Sequence, residues 1–238
     1  MSKSSESKKV ILITGTSRGI GRYLVEHYLR QDFKVIGCSR SESDIESESY
    51  THFEVDISVE EDIRQIFTFI RKECKKLDVL INNAAINPMI VPASFLPYDI
   101  IEKTYRVNVF ATMLFCREAV KIMSRKKFGR IINMGSIATR HDVKGESLYT
   151  STKAAVNTFT RVLAKEVYSN GITANVLAPS VVKTEMSEKI KEEAIEQIFS
   201  RNAIDQFGKM EDISNMTDFL IKEDSEAFTG QIFYLGGA

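Results

Sequence analysis

The stretch TGTSRGIG, Thr14–Gly21, decides the fold of this chain. It continues the apolar run KVILIT, which begins at Lys9, and it leads into the amphipathic pattern GRYLVEHYLRQ. Glycines at 15, 19 and 21 let the backbone turn tightly and approach a pyrophosphate, whose charge is favoured by the free N–H groups of a helix N-terminus. The strand before the glycines and the helix after them predict a dinucleotide-binding turn, although this spacing differs from the tighter Gly-x-Gly-x-x-Gly form.

Short β-branched runs recur along the rest of the chain, and we interpret each of them as a buried strand. They are KVILIT from Lys9, KVIGC from Lys34, THFEV from Thr51, DVLIN from Asp78, RIINM from Arg130, ITANVLA from Ile172 and QIFYL from Gln231. Helical patterns lie between most of these runs. The alternation predicts an α/β fold: a single Rossmann-type, doubly wound domain with a mostly parallel sheet of about seven strands and helices on both faces.

The predicted domain covers residues 9–238, and residues 1–8 are expected to be a flexible N-terminus. The polar stretch SRSESDIESES, Ser39–Ser49, is interpreted as a solvated connection. The charged pattern TEMSEKIKEEAIEQIFSR, Thr184–Arg201, predicts a helix that emerges from a strand end. Because ligands bind beyond the carboxyl ends of parallel strands, residues 184–205 are a candidate substrate lid, and a plain surface helix is the alternative.

Composition narrows the class of partner. The chain has 238 residues, with 32 basic and 32 acidic side chains and a formal net charge of zero. No global field therefore recruits nucleic acid or an anionic membrane, and a small-molecule ligand is favoured. The polar start MSKSSESKK has no apolar signal segment and no later run is long enough to span a membrane, so we expect a cytoplasmic protein. The three cysteines and three histidines lack metal-like spacing, so no metal site is predicted.

The end of the second predicted strand indicates which nicotinamide is used. An acidic residue there would bind the 2′-hydroxyl of NAD, but this chain has Ser39 followed by Arg40. A 2′-phosphate would meet a hydroxyl and a guanidinium, and Arg18 in the glycine turn would supply a second cation. We therefore predict NADP(H) in preference to NAD(H). The alternative is that both arginines are ordinary solvated charges.

Further landmarks extend the pattern beyond the glycine turn. They are VDIS at Val55, NNAA at Asn82, VNVFA at Val107, GS at Gly135, the Tyr149/Lys153 pair in SLYTSTKAAV, and APSVVKTEM at Ala178. A tyrosine four residues before a lysine is weak on its own, but all these landmarks together, in this order, resemble the short-chain dehydrogenase/reductase family from Lys9 to Ala238. The resemblance implies hydride transfer between nicotinamide and a ketone or secondary alcohol.

The resemblance implies four catalytic residues. Tyr149 is expected to be the general acid or base, Ser136 to orient the carbonyl, and Asn108 to anchor a water on a proton path through Lys153. Lys153 lies one helical turn after Tyr149, on the same face. A cation about 4 Å from a phenolate in an effective dielectric near 20 contributes about 4 kcal/mol, or roughly three pKa units, so we expect Lys153 to bring the pKa of Tyr149 close to neutrality.

The resemblance also implies a set of cofactor-binding residues. Asp56 is expected to accept from the adenine amino group, Asn83 and Ala84 to line the adenosine, Lys153 to hold the nicotinamide ribose, and Val182 and Thr184 to fix the carboxamide. The complete set is Gly15, Ser17, Arg18, Gly19, Ile20, Gly21, Ser39, Arg40, Asp56, Ile57, Asn83, Ala84, Ala85, Tyr149, Lys153, Pro179, Val182 and Thr184.

Three positions depart from the family pattern. Ala85 and Ser180 stand where the family usually has glycine, and Leu235 stands where it usually has aspartate. If the backbone at Ala85 required a positive φ, strain would follow. None of the three belongs to the predicted proton-transfer set.

The substrate is left open by the sequence. Within the family the chain most resembles 3-oxoacyl-acyl-carrier-protein reductases, and a basic run, Arg125, Lys126, Lys127 and Arg130, offers a surface for an acidic carrier protein or is merely a solvated loop. The stretch IATRHDVKGESL, from Ile137 to Leu148, is more polar than an acyl pocket requires and keeps a sugar or another polyol carbonyl as an alternative. A catalytically silent NADP-binding sensor or scaffold is the remaining alternative. The family usually forms tetramers, and the apolar residues around Asn108 suit a homotetramer or homodimer.

Overall fold

The computed structural model describes residues 8–185, 187–189 and 192–237. The predicted flexible N-terminus lies outside the described residues except for Lys8. The strands are β1 Val10–Thr14, β2 Lys34–Ser39, β3 Tyr50–Glu54, β4 Val79–Asn82, β5 Gly129–Met134, β6 Ile172–Ala178 and β7 Ile232–Tyr234. The α-helices are α1 Gly19–Arg30, α2 Glu60–Phe69, α3 Tyr98–Tyr105, α4 Ala111–Met123, α5 Ala138–His141, α6 Ser147–Val167, α7 Glu192–Phe199 and α8 Met210–Leu220.

The seven strands form one sheet in the order β3-β2-β1-β4-β5-β6-β7, and every neighbouring pair is parallel. The predicted doubly wound fold is confirmed, and the sheet is wholly rather than mostly parallel. The strand order reverses between β1 and β4, so the loops that follow these strands diverge. This divergence opens a crevice at the carboxyl edge of the sheet, where ligands of such folds bind.

The central strands β1 and β4 are largely apolar and fully buried because the sheet is covered on both faces, whereas the edge strands β3 and β7 are only partly buried. One core packs under α2, α4 and α6 and includes Phe67 and Phe115, whose ring centroids are 5.7 Å apart. The other core packs under α1 and α8 and includes Tyr28, whose hydroxyl donates to Thr217 Oγ1 at 2.8 Å. The central strands are held rigidly between these two layers.

Besides the π-helical turn Ile70–Cys74 at the end of α2, two helical segments near the site differ from a regular α-helix. Between α3 and α4 the chain forms one π-helical turn, Arg106–Phe110, which rotates the following residues relative to a continuous helix. Of the helix predicted over Thr184–Arg201, the described residues form a short 3-10 turn, Ser187–Lys189, and the α-helix α7, Glu192–Phe199, whereas residues 186, 190 and 191 lie outside the described residues. None of the helices within residues 8–185, 187–189 and 192–237 has the length and apolar character needed to cross a bilayer.

Candidate active site

The glycine turn is shaped for close approach of a phosphate. Gly15 has φ +74° and Gly19 has φ +55°, a region in which side chains are disfavoured. A Cβ on Gly21 would lie 2.0 Å from the Gly15 carbonyl oxygen. Helix α1 begins at Gly19 with no side-chain cap, so its first N–H groups face the crevice. This cradle fits a dinucleotide pyrophosphate.

The loop after β4 holds the turn from behind. The backbone N–H groups of Asn83 and Ala84 both donate to Thr14 Oγ1 at 3.0 Å. The Asn83 side-chain amide donates to the carbonyl oxygens of Thr14 and Gly15 at 2.9 and 3.2 Å. Asn83 therefore uses its side chain to support the glycine turn. The Ala85 backbone is not in the left-handed region, so the strain considered from the sequence does not arise.

Asp56 and Ile57 follow β3 at the same edge of the sheet. Asp56 Oδ1 accepts a hydrogen bond from the Ser58 N–H at 2.9 Å, and Asp62 accepts from the Asp56 N–H at 2.9 Å. Burial opposes ionisation of Asp56, but the hydrogen bonds from Ser58 outweigh it and lower the pKa of the carboxyl. A charged acceptor thus lies at the adenine side of the crevice, and Ile57 beside it is buried.

The end of β2 presents the residues predicted to choose the nicotinamide. Ser39 is buried and its hydroxyl donates to the Ser41 carbonyl oxygen at 2.6 Å, whereas Arg40 is exposed. Arg18 makes an ion pair of 2.5 Å with Glu185, and both side chains are more than half exposed. An exposed ion pair of this kind contributes little to the free energy of folding, so Arg18 can exchange Glu185 for another anion at a small cost in free energy.

The segment after β6 closes the nicotinamide end. Pro179 accepts a hydrogen bond from the Ile137 N–H at 3.1 Å, and Val182 forms a parallel bridge with Gly208. The Thr184 methyl group lies 3.5 Å from the position of a Cβ on Gly19. The fold therefore brings Thr184 against the glycine turn although the two are far apart in the sequence.

Ser136, Tyr149 and Lys153 come together where β5 meets the start of α6. Lys153 is 4% exposed, and its Nζ donates to the Met134 carbonyl oxygen at 2.8 Å and lies 5.7 Å from the centroid of the Tyr149 ring. Ser136 is close enough to Tyr149 for its hydrogen bonding to lower the pKa of the phenol. The three side chains thus lie on the crevice side of one strand end and one helix.

The protonation states differ from the expectation. The pKa of Tyr149 is raised to about 12, mainly by burial. A hydrogen bond with Ser136 lowers this pKa in part, and the negative charge of Glu146 raises it further. Burial lowers the pKa of Lys153 to about 8. The expectation that Lys153 would bring the pKa of Tyr149 close to neutrality is wrong for this conformation, because the ammonium bonds to the Met134 carbonyl oxygen, Lys153 is buried and Tyr149 is half-buried.

Asn108 lies in the π-helical turn and is 2% exposed. Its side-chain oxygen accepts from the Ile86 N–H at 2.8 Å, and its amide donates to the Ile86 carbonyl oxygen at 2.9 Å and to Thr152 Oγ1 at 3.1 Å. Asn108 therefore joins the loop after β4 to helix α6. Its partner on α6, Thr152, lies three residues after Tyr149 and one residue before Lys153.

Two features of the site were missed by sequence reasoning. Glu146, within the stretch predicted to border the substrate but not singled out, is 5% exposed and influences the pKa of Tyr149. In addition, the Tyr50 hydroxyl lies 2.8 Å from His52 Nδ1, and His52 Nε2 lies 3.2 Å from Ser39 Oγ. A signal for this second feature was Gly37 inside a buried strand, because a Cβ there would lie 2.3 Å from the Tyr50 hydroxyl.

A parallel doubly wound sheet with this glycine turn at its switch point defines a dinucleotide-binding Rossmann-type protein. A family model of short chain dehydrogenases matches residues 9–195, and the chain belongs to the short-chain dehydrogenase/reductase family. It is accordingly an oxidoreductase that acts on the CH–OH/C=O pair with a nicotinamide cofactor.

Individual relatives agree with this assignment. The chain is 31% identical to a 3-oxoacyl-acyl-carrier-protein reductase of Haemophilus influenzae, with 96% of this chain and 97% of the relative covered. Its structure is similar to that of ElxO with NADP bound, with a TM-score of 0.87, 29% identity, and 96% and 97% of the two chains covered. It is also similar to a short chain dehydrogenase of Leptospira borgpetersenii with bound NAD+, with a TM-score of 0.88, 26% identity, and 97% and 92% covered.

Proposed function

We propose that the protein is an NADP(H)-dependent carbonyl reductase in which Tyr149 transfers the proton. The observation that carries this proposal is the convergence of Ser136, Tyr149 and Lys153 at the carboxyl edge of the sheet, the same edge at which the glycine turn follows β1. A screen of carbonyl compounds that follows NADPH absorbance tests it. If no compound oxidises NADPH while NADPH still binds, the silent sensor or scaffold replaces the enzyme.

The chain's own residues account for the proton transfer. Ser136 orients the carbonyl oxygen toward the Tyr149 hydroxyl, and the high pKa of Tyr149 keeps this acid protonated at neutral pH until negative charge develops on the substrate oxygen. The Lys153 ammonium then stabilises the phenolate. Nicotinamide supplies the hydride when it is bound, and Asn108 positions Lys153 and the loop after β4 through Thr152 and Ile86.

The predicted cofactor-binding residues are proposed to act as a continuous surface along the crevice. Ser17, Ile20 and the three glycines hold the pyrophosphate, Asp56 and Ile57 the adenine, and Asn83–Ala85 the adenosine through the backbone. Pro179, Val182 and Thr184 hold the carboxamide end. Three contacts support this assignment: Gly21 packs too closely against the Gly15 carbonyl oxygen to carry a side chain, the Asn83 amide bonds to the same oxygen, and the Thr184 methyl group lies against Gly19.

We propose a preference for NADP(H) because no carboxylate occupies the end of β2. Ser39 and the exposed Arg40 stand there, and Arg18 is exposed on the adjoining turn. The structural relatives include proteins with bound NADP and with bound NAD+, so fold similarity alone does not select the cofactor. Similar kcat/KM values for NADPH and NADH would refute the preference.

The substrate is proposed to be a 3-oxoacyl thioester or a more polar carbonyl compound such as a sugar or polyol ketone. Relatives named as 3-oxoacyl-acyl-carrier-protein reductases support the thioester. The carrier surface inferred from the sequence needs correction: Arg130 is 3% exposed and donates to the carbonyl oxygens of Lys222 and Glu223. Arg125–Lys127 precede β5 and lie at the opposite edge of the sheet from Tyr149.

Residues 184–205 are proposed to act as a substrate lid. Arg201 donates to the His141 carbonyl oxygen, so this segment contacts the loop after β5 across the crevice. Thr184 at its start contacts the glycine turn. Reduction of acetoacetyl-carrier protein and of a panel of polyol ketones by the same preparation will discriminate the two substrate classes.

We propose that the chain assembles as a homotetramer or homodimer. Phe110 and Met113 on the π-helical turn and α4, and Val162 on α6, are exposed to the extent of 51%, 37% and 51%. Phe219 and Phe228 form a second exposed apolar pair with ring centroids 4.9 Å apart. Light scattering on Phe110→Lys and Phe219→Lys variants tests each surface separately.

A further inference from the structure

A buried carboxyl group that pairs with no lysine, arginine or histidine of the described residues lies beside the proposed acid. Glu146 is 5% exposed and immediately precedes helix α6, three residues before Tyr149. The Thr150 N–H donates to the Glu146 carbonyl oxygen at 2.8 Å, so the first turn of the helix starts at Glu146. Side chains three positions apart on such a turn are neighbours, with Cβ atoms about 5–6 Å apart.

The loop after β4 covers this carboxyl. The Ile86 backbone is bonded to Asn108 at both its N–H and carbonyl groups, and the Val91 N–H donates to the Gly145 carbonyl oxygen at 3.0 Å. Between these two attachments lies Asn87, which is close enough to Glu146 to influence its pKa. The side-chain oxygen of Asn87 is buried and has no hydrogen-bond partner among the described residues.

The electrostatic surroundings of Glu146 are unusual for a buried acid. Burial raises the pKa of its carboxyl, and Asn87 offsets this only in part. Within the part of the chain that the structure describes, no lysine, arginine or histidine acts on this carboxyl. Buried carboxylates are normally paired with a cation, because isolation in a low-dielectric environment is costly. Glu146 and the Asn87 oxygen thus form an acceptor-only pair beside the reacting position.

We propose that Glu146, with Asn87, is a specificity-determining site that binds a cationic amine of the substrate, so that the preferred substrates are amino ketones. This inference rests on the proposed function, because the carbonyl must lie at Tyr149. The Asn87 amide donates one hydrogen bond to the Glu146 carboxyl, but the Asn87 oxygen has no hydrogen-bond partner among the described residues. An ammonium would supply the positive charge and up to three further donors to these two acceptors. The amine would lie within a few bonds of the carbonyl, because Glu146 and Tyr149 are adjacent on one helical turn.

The test uses pairs of ketones that differ in charge but not in shape. The pairs are aminoacetone with butanone, and N-methyl-4-piperidone with 4-methylcyclohexanone, assayed with NADPH at pH 7. For at least one pair, we expect kcat/KM to favour the cationic member by about tenfold or more, as a charge-assisted contact does. In Glu146→Gln this ratio should fall by about the same factor, mainly through KM. Equal kcat/KM values for both pairs in the wild-type protein would overturn the inference.

Asp99→Asn is the matched control because it removes an exposed negative charge from the adjoining helix α3. Asp99→Asn should keep the wild-type ratio of kcat/KM between the cationic and the neutral ketone. If this ratio fell as much as in Glu146→Gln, the preference would come from the overall charge of the protein, and the specific site would be refuted. A Glu146→Gln protein that retains the preference refutes it as well. If the variant does not fold, the wild-type ratios decide alone.

A second readout does not require turnover. N-methyl-4-hydroxypiperidine should raise the melting temperature of the NADPH-bound wild-type protein more than 4-methylcyclohexanol does. No difference between the two would overturn the inference even if no ketone is reduced. Failure of the proposed function is a separate result, because it is an absence of reduction across the whole carbonyl screen.

Discussion

The two sides of the crevice differ in how their polar groups are satisfied. On the nucleotide side, Thr14, Asn83 and the Gly15 carbonyl group bond to one another, so the turn is complete without a ligand. On the proposed substrate side, the Asn87 side-chain oxygen is buried and has no hydrogen-bond partner within the described residues. The same holds for polar atoms of Thr150 and Asn157 on α6 and of Asn82 at the end of β4. Such atoms usually mark places that meet a polar ligand or water.

The His141 region adds to this contrast. His141 is 5% exposed, and neither ring nitrogen makes a hydrogen bond of normal geometry within the described residues. The pKa of His141 is lowered, first by burial and then by the positive charge of Arg201, and Asn202 is close enough to offset this in part. The comparison teaches that the nucleotide side is preformed, whereas the substrate side is a set of polar positions whose partners depend on the compound bound.

The largest effect is expected from Tyr149→Phe, which separates chemistry from nucleotide binding. Loss of a general acid lowers kcat by about 10²–10⁴-fold, whereas the dissociation constant of NADPH should stay within about twofold. Steady-state rates on the best substrate of the carbonyl screen and a fluorescence titration with NADPH measure the two quantities. Undiminished turnover would show that Tyr149 is not the acid.

Gly21→Ala tests the nucleotide side alone. Its Cβ would lie 2.0 Å from the Gly15 carbonyl oxygen, and overpacking of this kind costs about 1–3 kcal/mol. We expect a lower melting temperature and weaker NADPH binding. Gly208→Ala is the control, because its nearest neighbour would be the Val182 side chain at 3.4 Å. If both variants behaved alike, the glycine turn would not be the rigid element described above.

Arg40→Ala sharpens the assignment of the nucleotide side. Removing one charge-assisted contact to a 2′-phosphate should reduce the kcat/KM for NADPH by about tenfold or more and leave that for NADH within about twofold. Lys165→Ala, which removes an exposed cation near the C-terminal end of α6, should change neither. An equal loss of kcat/KM with NADPH and with NADH would show that Arg40 does not bind the 2′-phosphate.

A smaller effect is expected in the pH profile of carbonyl reduction. The Lys153 ammonium has a pKa of about 8 and Tyr149 one of about 12, so kcat/KM should fall as the pH rises through about 8, while Tyr149 remains protonated. Lys153→Arg should move this descending limb to higher pH, because arginine stays charged. An unmoved limb would assign the titration to another group.

Much of the fold was predictable because the relevant signals are local. The strand runs that begin at Lys9, Lys34 and Ile172 are mostly apolar and lie in the buried interior of the sheet, because both faces of the sheet are covered. The glycine turn was recognisable because glycine adopts φ +74° and +55°, as at positions 15 and 19, without the steric cost that a side chain adds. The 3-10 turn at Ser187–Lys189, where a continuous α-helix was predicted, was not predictable from the charge pattern.

The sequence alone determined the order of the strands along the chain, the glycine turn, the family, and the candidates Ser136, Tyr149 and Lys153, because each depends on residue type and local spacing. Only the tertiary structure decided the pKa directions of Tyr149 and Lys153, the burial of Arg130, and the placement of Glu146 against Asn87. The physical reason is that charge states depend on desolvation and on neighbours brought together through space, which sequence spacing does not encode.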